Sequence, residues 1–118
     1  MDAAQALADL TEISSQIEAA VLFDESGEIA ASTLAGEDRS RELVRAASEL
    51  LEAAERLRAG GDELKQLEAA TLEGSVFVVR DGPQRIVATT GPNPTVGLVF
   101  YDLKSCLRGV GEDGGGAT

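Results

Sequence analysis

Two short stretches of this sequence leave no position free to turn towards water: Val21-Leu22-Phe23 and Val76-Phe77-Val78-Val79. Runs of this length fit strands. Successive side chains of a strand point to opposite faces, so consecutive apolar residues need cover on both. A chain of 118 residues is long enough for one domain and too short for two. It must therefore hold a sheet between two other layers, and the remaining segments have to supply them.

Residues 2–17 read as an amphipathic helix. Asp2 can cap it, Gln5 completes a weak capping box, and Leu7, Leu10, Ile13 and Ile17 with Ala3 and Ala6 form one stripe. Ala19–Phe23 and Ile29–Ser32 then flank the turn-forming Asp24-Glu25-Ser26-Gly27, which predicts a β-hairpin. Residues 37–59 predict a long helix, closed by Gly60-Gly61 with Arg56 and Arg58 in its last turn. Beyond the break at Asp62, three strands are expected at Gln66–Leu72, Ser75–Arg80 and Arg85–Thr90. The first of these is polar enough for an edge, and the second is a central strand.

The last segment is written in strand-like letters, Val96 to Tyr101, yet its spacing is helical. As a strand it is broken by Asp102 and Lys104 on one face and Ser105 on the other. As a helix, Val96, Val99, Phe100, Leu103, Cys106, Leu107 and Val110 make one stripe. Asn93 can cap it with Pro94 in the first helical position, or Thr95 can cap it a turn later. The expected order is helix, two strands, long helix, three strands, helix. That order makes an α/β (α+β) chain with an α/β/α sandwich and a five-stranded, mostly antiparallel sheet. Residues 1–110 are expected as one domain and the Gly-rich residues 111–118 as a flexible tail.

The long helix carries a wide apolar arc. Leu43, Ala47, Leu50, Ala54 and Leu57 lie along its centre, with Ala46 and Ala53 on one side and Val44 and Leu51 on the other. The arc covers roughly 180°, against the ~100° needed to lie on one sheet. Alanine is a good helix former, which accounts for part of this. Alternatively one flank packs on the sheet and the other on a helix of a partner subunit.

Composition removes much of enzymology. The sequence has no His and one Cys, so Ser-His-Asp and Cys-His nucleophile systems, an intrachain disulfide and a structural zinc site are excluded. No metal or cofactor is expected, and a lone Cys suits a reducing, cytoplasmic setting. The P-loop signature G-x-x-x-x-G-K-[ST] is missing. A net charge of −11 opposes nucleic-acid phosphates and anionic lipid. No apolar run approaches the ~20 residues of a membrane span, and the acidic start MDAAQALADL is not that of a secretory signal. The acidity either keeps the protein soluble or meets a basic partner, with Glu49, Glu52 and Glu55 on the long helix as the candidate docking cluster.

Local motifs add little. Asp24-Glu25-Ser26-Gly27-Glu28 has the outline of a calcium loop but lacks its invariant glycine and terminal ligands, so a hairpin turn is the reading. Asn93-Pro94-Thr95 is barred from glycosylation by its proline. Cys106 lies on an apolar stripe and reads as core.

The element order and several local sequences resemble the roadblock (dynein light-chain roadblock) family, in particular its bacterial and archaeal members. AAVLFDESGEIAAST matches the first hairpin and RSRELVRAASELLEAAERL the long helix; TLEGSVFVVRDG and TTGPNPTVGLVFYDL match the later strands and last helix. Gly97, Leu98 and Leu103 fill the family's G-L-x-x-x-x-[LM] pattern, and the resemblance spans residues 3–110. It implies a profilin-like sandwich, with the long helix on one face and two helices on the other, and a non-enzymatic homodimer. The long helix and third strand would meet their counterparts across a two-fold axis, through Val44, Ala47 and Leu51 and through Gln66, Glu68 and Ala70. It further implies association with a small Ras-like P-loop GTPase, as regulator or scaffold. The tight Glu73-Gly74 turn departs from the longer connection of many members. The alternatives are a sensory module with a ligand cavity lined by Val76, Val78 and Phe100, or a structural adaptor of a signalling complex.

Overall fold

A computed structural model describes residues 2–57 and 64–116, with side chains to residue 111. Its elements are α1 (Ala3–Ile13), β1 (Ile17–Asp24), β2 (Ile29–Ser32), α2 (Glu37–Leu57), β3 (Gln66–Ala70), β4 (Ser75–Asp81), β5 (Gln84–Thr90) and α3 (Val96–Gly116). The expected helix closure at Gly60-Gly61, Arg58 and Asp62 lie outside the described residues. The last turns of α3 run into the glycine-rich segment that the sequence suggests as a tail.

The strands form one antiparallel sheet in the order β2-β1-β5-β4-β3. Its consecutive apolar residues divide between two cores, as their spacing requires. Ala20, Leu22, Phe77, Val79, Ile86 and Ala88 face α1 and α3. Val21, Phe23, Val78 and Val87 face α2. The centre of the sheet is the β1–β5 pairing, where Val21 opposes Val87 and Leu22 opposes Ile86; none of the four is more than 2% exposed. The chain is thus an α/β/α sandwich with the long helix alone on one face.

Asp2 caps α1 as expected, accepting the Gln5 N–H at 2.8 Å. The helix ends earlier than its sequence stripe suggests. Ser14 donates its N–H to the Leu10 carbonyl, and Ile17 already belongs to β1, opposite Thr90. Sheet pairing draws the chain out of the helix, so Ile17 leaves the stripe and Ile13 stands 72% exposed.

At α3, Asn93 adopts φ 57°, a left-handed value unsuited to a helix cap, and the first helical N–H to turn back is that of Val99, on the Thr95 carbonyl. Thr95 is the boundary residue. Its own N–H is held at 2.6 Å by Gln16 Oε1, which ties the start of α3 to the start of β1.

The turns follow from their residues. Asp24 accepts from Ser26 N, Ser26 Oγ and Glu28 N, and the Ser26 hydroxyl is the main cause of a carboxyl held below its ordinary pKa. Between β4 and β5, Gly82 takes φ 62° while Pro83 is confined to negative φ, the II′ combination of a two-residue hairpin. At the β3–β4 turn, Thr71 closes the loop onto Gly74 through both main chain and hydroxyl. A Cβ on Gly74 would overlap the carbonyl oxygen of Thr90, a backbone atom fixed in the sheet. Gly74→Ala is therefore expected to cost about 1–3 kcal/mol, read as a lower urea midpoint. An unchanged midpoint would show that the turn can shift.

Candidate protein-interaction surfaces

The orientation of α2 decides which of its apolar residues are available. Ser40, Val44, Ala47 and Leu51 face the sheet at 3%, 5%, 0% and 3% exposure. Val44, Ala47 and Leu51, expected at a subunit interface, thus belong to the chain's own core. The reason lies at Ser40, a polar residue the apolar pattern does not count. It shares a 2.7 Å hydrogen bond with Ser32 Oγ of β2, so it can be buried and rotates the inward stripe towards Val44 and Leu51.

The opposite flank is left outward. Leu43, Leu50, Ala53 and Ala54 are half-buried, Ala46 is exposed and Leu57 is 88% exposed. With 3.6 residues per turn these form one strip beside the inward stripe. The wide arc therefore does divide into a sheet flank and a free flank, with the two exchanged relative to expectation.

The edge strand β3 pairs with β4, and its other edge has no strand partner among the described residues. Gln66, Glu68 and Ala70 stand opposite Val79, Phe77 and Ser75 and share their side of the sheet, whereas Leu67 packs on the α2-side core. Glu68 and Ala70 are exposed. The strand's outer N–H and C=O groups are a template for pairing with another strand.

The three carboxylates of α2 separate. Glu49 and Glu52 are exposed, while Glu55 is ion-paired with Arg80 and accepts the Leu64 N–H at 3.3 Å. Arg80 Nε also donates to the Leu64 carbonyl at 2.8 Å, so this pair fastens the start of β3 to α2 and β4.

Among the described residues there is no group of His, Cys, Asp and Glu able to hold a metal ion, and no helix long and apolar enough to cross a membrane. Val76 and Val78 lie in the α2-side core and Phe100 against the other core, so the sheet separates them and they line no common cavity. Cys106 is buried, its Sγ–H directed at the Ala6 carbonyl. Burial, then the charge of Asp9, pushes its thiol up to about 11. A thiol-reactive disulfide should accordingly modify it much more slowly in the native protein than in urea; equal rates would show that this part of the core opens freely.

A five-stranded antiparallel sheet in this order, with one long helix on one face and two on the other, defines a roadblock-type sandwich whose exposed features are a helix flank and a strand edge. Solved structures agree. The chain superposes on the Roadblock/LC7 domain from Streptomyces avermitilis with a TM-score of 0.81 at 16% identity, covering 93% of this chain and 95% of that one. It is similar to Myxococcus xanthus MglB (TM-score 0.62, 17% identity, 88% and 84% covered). A structure of MglB with tetrameric arrangement gives 0.65 at 16% identity, with 90% and 85% covered. No family profile and no curated protein is matched by the sequence itself. The likeness is one of fold: this chain has the Roadblock/LC7 fold.

Proposed function

We propose that the protein is a non-catalytic homodimer that regulates or scaffolds a small Ras-like GTPase in the cytoplasm, acting through a single domain at residues 1–110. The observation that carries this reading is the free apolar flank of α2 together with the open edge of β3. Leu43 on the flank and Leu67 on the edge strand both pack at the margin of the α2-side core. A two-fold axis beside them would set helix against helix and strand against strand, with the same patch used by both copies. The tetrameric arrangement of one similar structure supports assembly through this fold. The GTPase rests on the resemblance to bacterial and archaeal roadblock proteins.

A regulator of this kind needs no catalytic group of its own. It acts by binding one nucleotide state of the GTPase better than the other, which orders that state's switch loops. Exposed Glu49 and Glu52, on a chain of charge −11, would steer a basic face of the partner, so association should weaken as salt rises. The test uses a small Ras-like GTPase of the same cell, ideally one encoded beside this chain. Complex formation and GTP turnover are measured with and without the protein at two salt concentrations. The absence of both binding and altered turnover would end this reading.

A further inference from the structure

The free edge of β3 restricts how a second copy can pair with it. The Lys65 carbonyl accepts the Arg80 N–H, and the Thr71 N–H donates to the Gly74 carbonyl, each at 2.8 Å. The odd-numbered residues of β3 therefore direct their main-chain groups at β4, and Gln66, Glu68 and Ala70 turn theirs outward. A second β3 brought up about a two-fold axis forms antiparallel pairs in which one residue stands opposite its own copy. Three registers pair more than one residue of the strand, centred on Leu67, Glu68 or Ala69.

Apolarity and charge separate the three. The register centred on Glu68 uses most of the strand but sets two exposed carboxylates face to face, which is destabilising. The register centred on Ala69 puts Leu67 beyond the paired residues. Centred on Leu67, the pairing sets that leucine against its copy on the α2 side, where Leu43 stands at the margin of the same core. It also brings a second Glu68 opposite Gln66.

Gln66 lines an open cavity of about 290 Å³ between α3 and the β3–β4 edge. Both lysines of the chain, Lys65 and Lys104, line it with Arg80 and Arg108, against Asp81 alone of the 21 carboxylates. Lys104 and Arg108 are exposed one turn apart on α3, a like-charge spacing that destabilises a helix. Neither has a carboxylate partner among the described residues. On a chain of charge −11, this corner is where an acidic group is drawn in.

We propose that two copies of the chain pair β3 with β3 in the register centred on Leu67, and that the partner's Glu68 enters the mouth of the basic cavity and ion-pairs with Lys104. The two-fold axis makes this contact twice. The inference rests on the dimer proposed above and adds the register and the charges that select it.

Oxidation of the single variants Leu67→Cys, Glu68→Cys and Ala69→Cys reads the register, with the unsubstituted chain, whose Cys106 is buried, as blank. Expected is a disulfide-linked dimer that forms fastest for Leu67→Cys, where the facing Cα atoms fall within disulfide range. Analytical ultracentrifugation tests the charges without thiol chemistry. Glu68→Gln should weaken the dimer about five- to tenfold and Lys104→Glu more than about tenfold. Lys104→Glu combined with Glu68→Lys should dimerise more tightly than either alone. A register centred on Glu68 requires the opposite of Glu68→Gln, a tighter dimer. That result, fastest linkage at position 68 or 69, or no rescue by the exchanged pair overturns the proposal and leaves the dimer standing. A dimer that links at none of the three positions overturns it by removing β3 from the interface. A monomeric unsubstituted chain ends the dimer reading, and the register with it.

Discussion

Phe77→Ala is expected to destabilise the protein by about 3–5 kcal/mol. Phe77 lies within β4 at 0% exposure, and its ring meets that of Phe100 edge to face, with centroids 5.0 Å apart and planes at 76°. The pair joins the sheet to α3, so truncation removes apolar contact from two layers and leaves a cavity that paired strands cannot close. A loss of that size is a large share of the ~5–15 kcal/mol available to a small domain. It should appear as a strong fall in urea midpoint. Phe100→Leu, at a half-buried position on the helix side, should cost less, and a double-mutant cycle should return a coupling of about 0.5–1.5 kcal/mol for the ring pair. A loss under about 1 kcal/mol for Phe77→Ala would mean that α3 is held on by its other contacts.

The layers were legible because they follow from arithmetic on apolar runs. Val21-Leu22-Phe23 and Val76 to Val79 demanded two cores, and two cores are found, with those residues divided between them by parity. The last segment was legible as a helix because seven apolar residues fall on one helical stripe, and all of them but Val96 lie buried or half-buried against the core beneath α1 and α3. The limits of α1 were not legible. Ile13 and Ile17 sit at helical spacing from Leu10, and only the long-range pairing of Ile17 with Thr90 removes the second from the helix. Local pattern has no access to a contact across so much sequence.

The surfaces were legible in kind and not in detail. A 180° arc marked more apolar surface on α2 than one sheet covers, but the choice between its flanks turned on one hydroxyl pair, Ser32 with Ser40. A polar residue counts against burial until its partner is known, so the sequence pattern centred the inward face on the wrong residues. Glu55 is a similar case. Its spacing from Glu49 and Glu52 suggested one acidic cluster, whereas Arg80, distant in sequence, ties it to the fold.

The exchange of flanks on α2 gives the second large effect. Ala46→Glu, at an exposed position, should leave the fold intact and weaken the proposed dimer about a hundredfold or more. An isologous interface meets each substitution twice, so even ~1.5–2 kcal/mol per site suffices for that factor. Val44→Glu places the charge under the helix at a 5% exposed position, and its expected outcome is loss of the folded monomer rather than a change of assembly. Ser15→Glu, exposed in the connection between α1 and β1, controls for the added charge and should alter neither property. Light scattering reads the mass and circular dichroism the fold. A dimer unaffected by Ala46→Glu would remove the flank from the interface and leave the β3 edge as the surface to test. A folded, monomeric Val44→Glu would reverse the assignment of the two flanks, because only an interface residue can lose the partner while keeping the core.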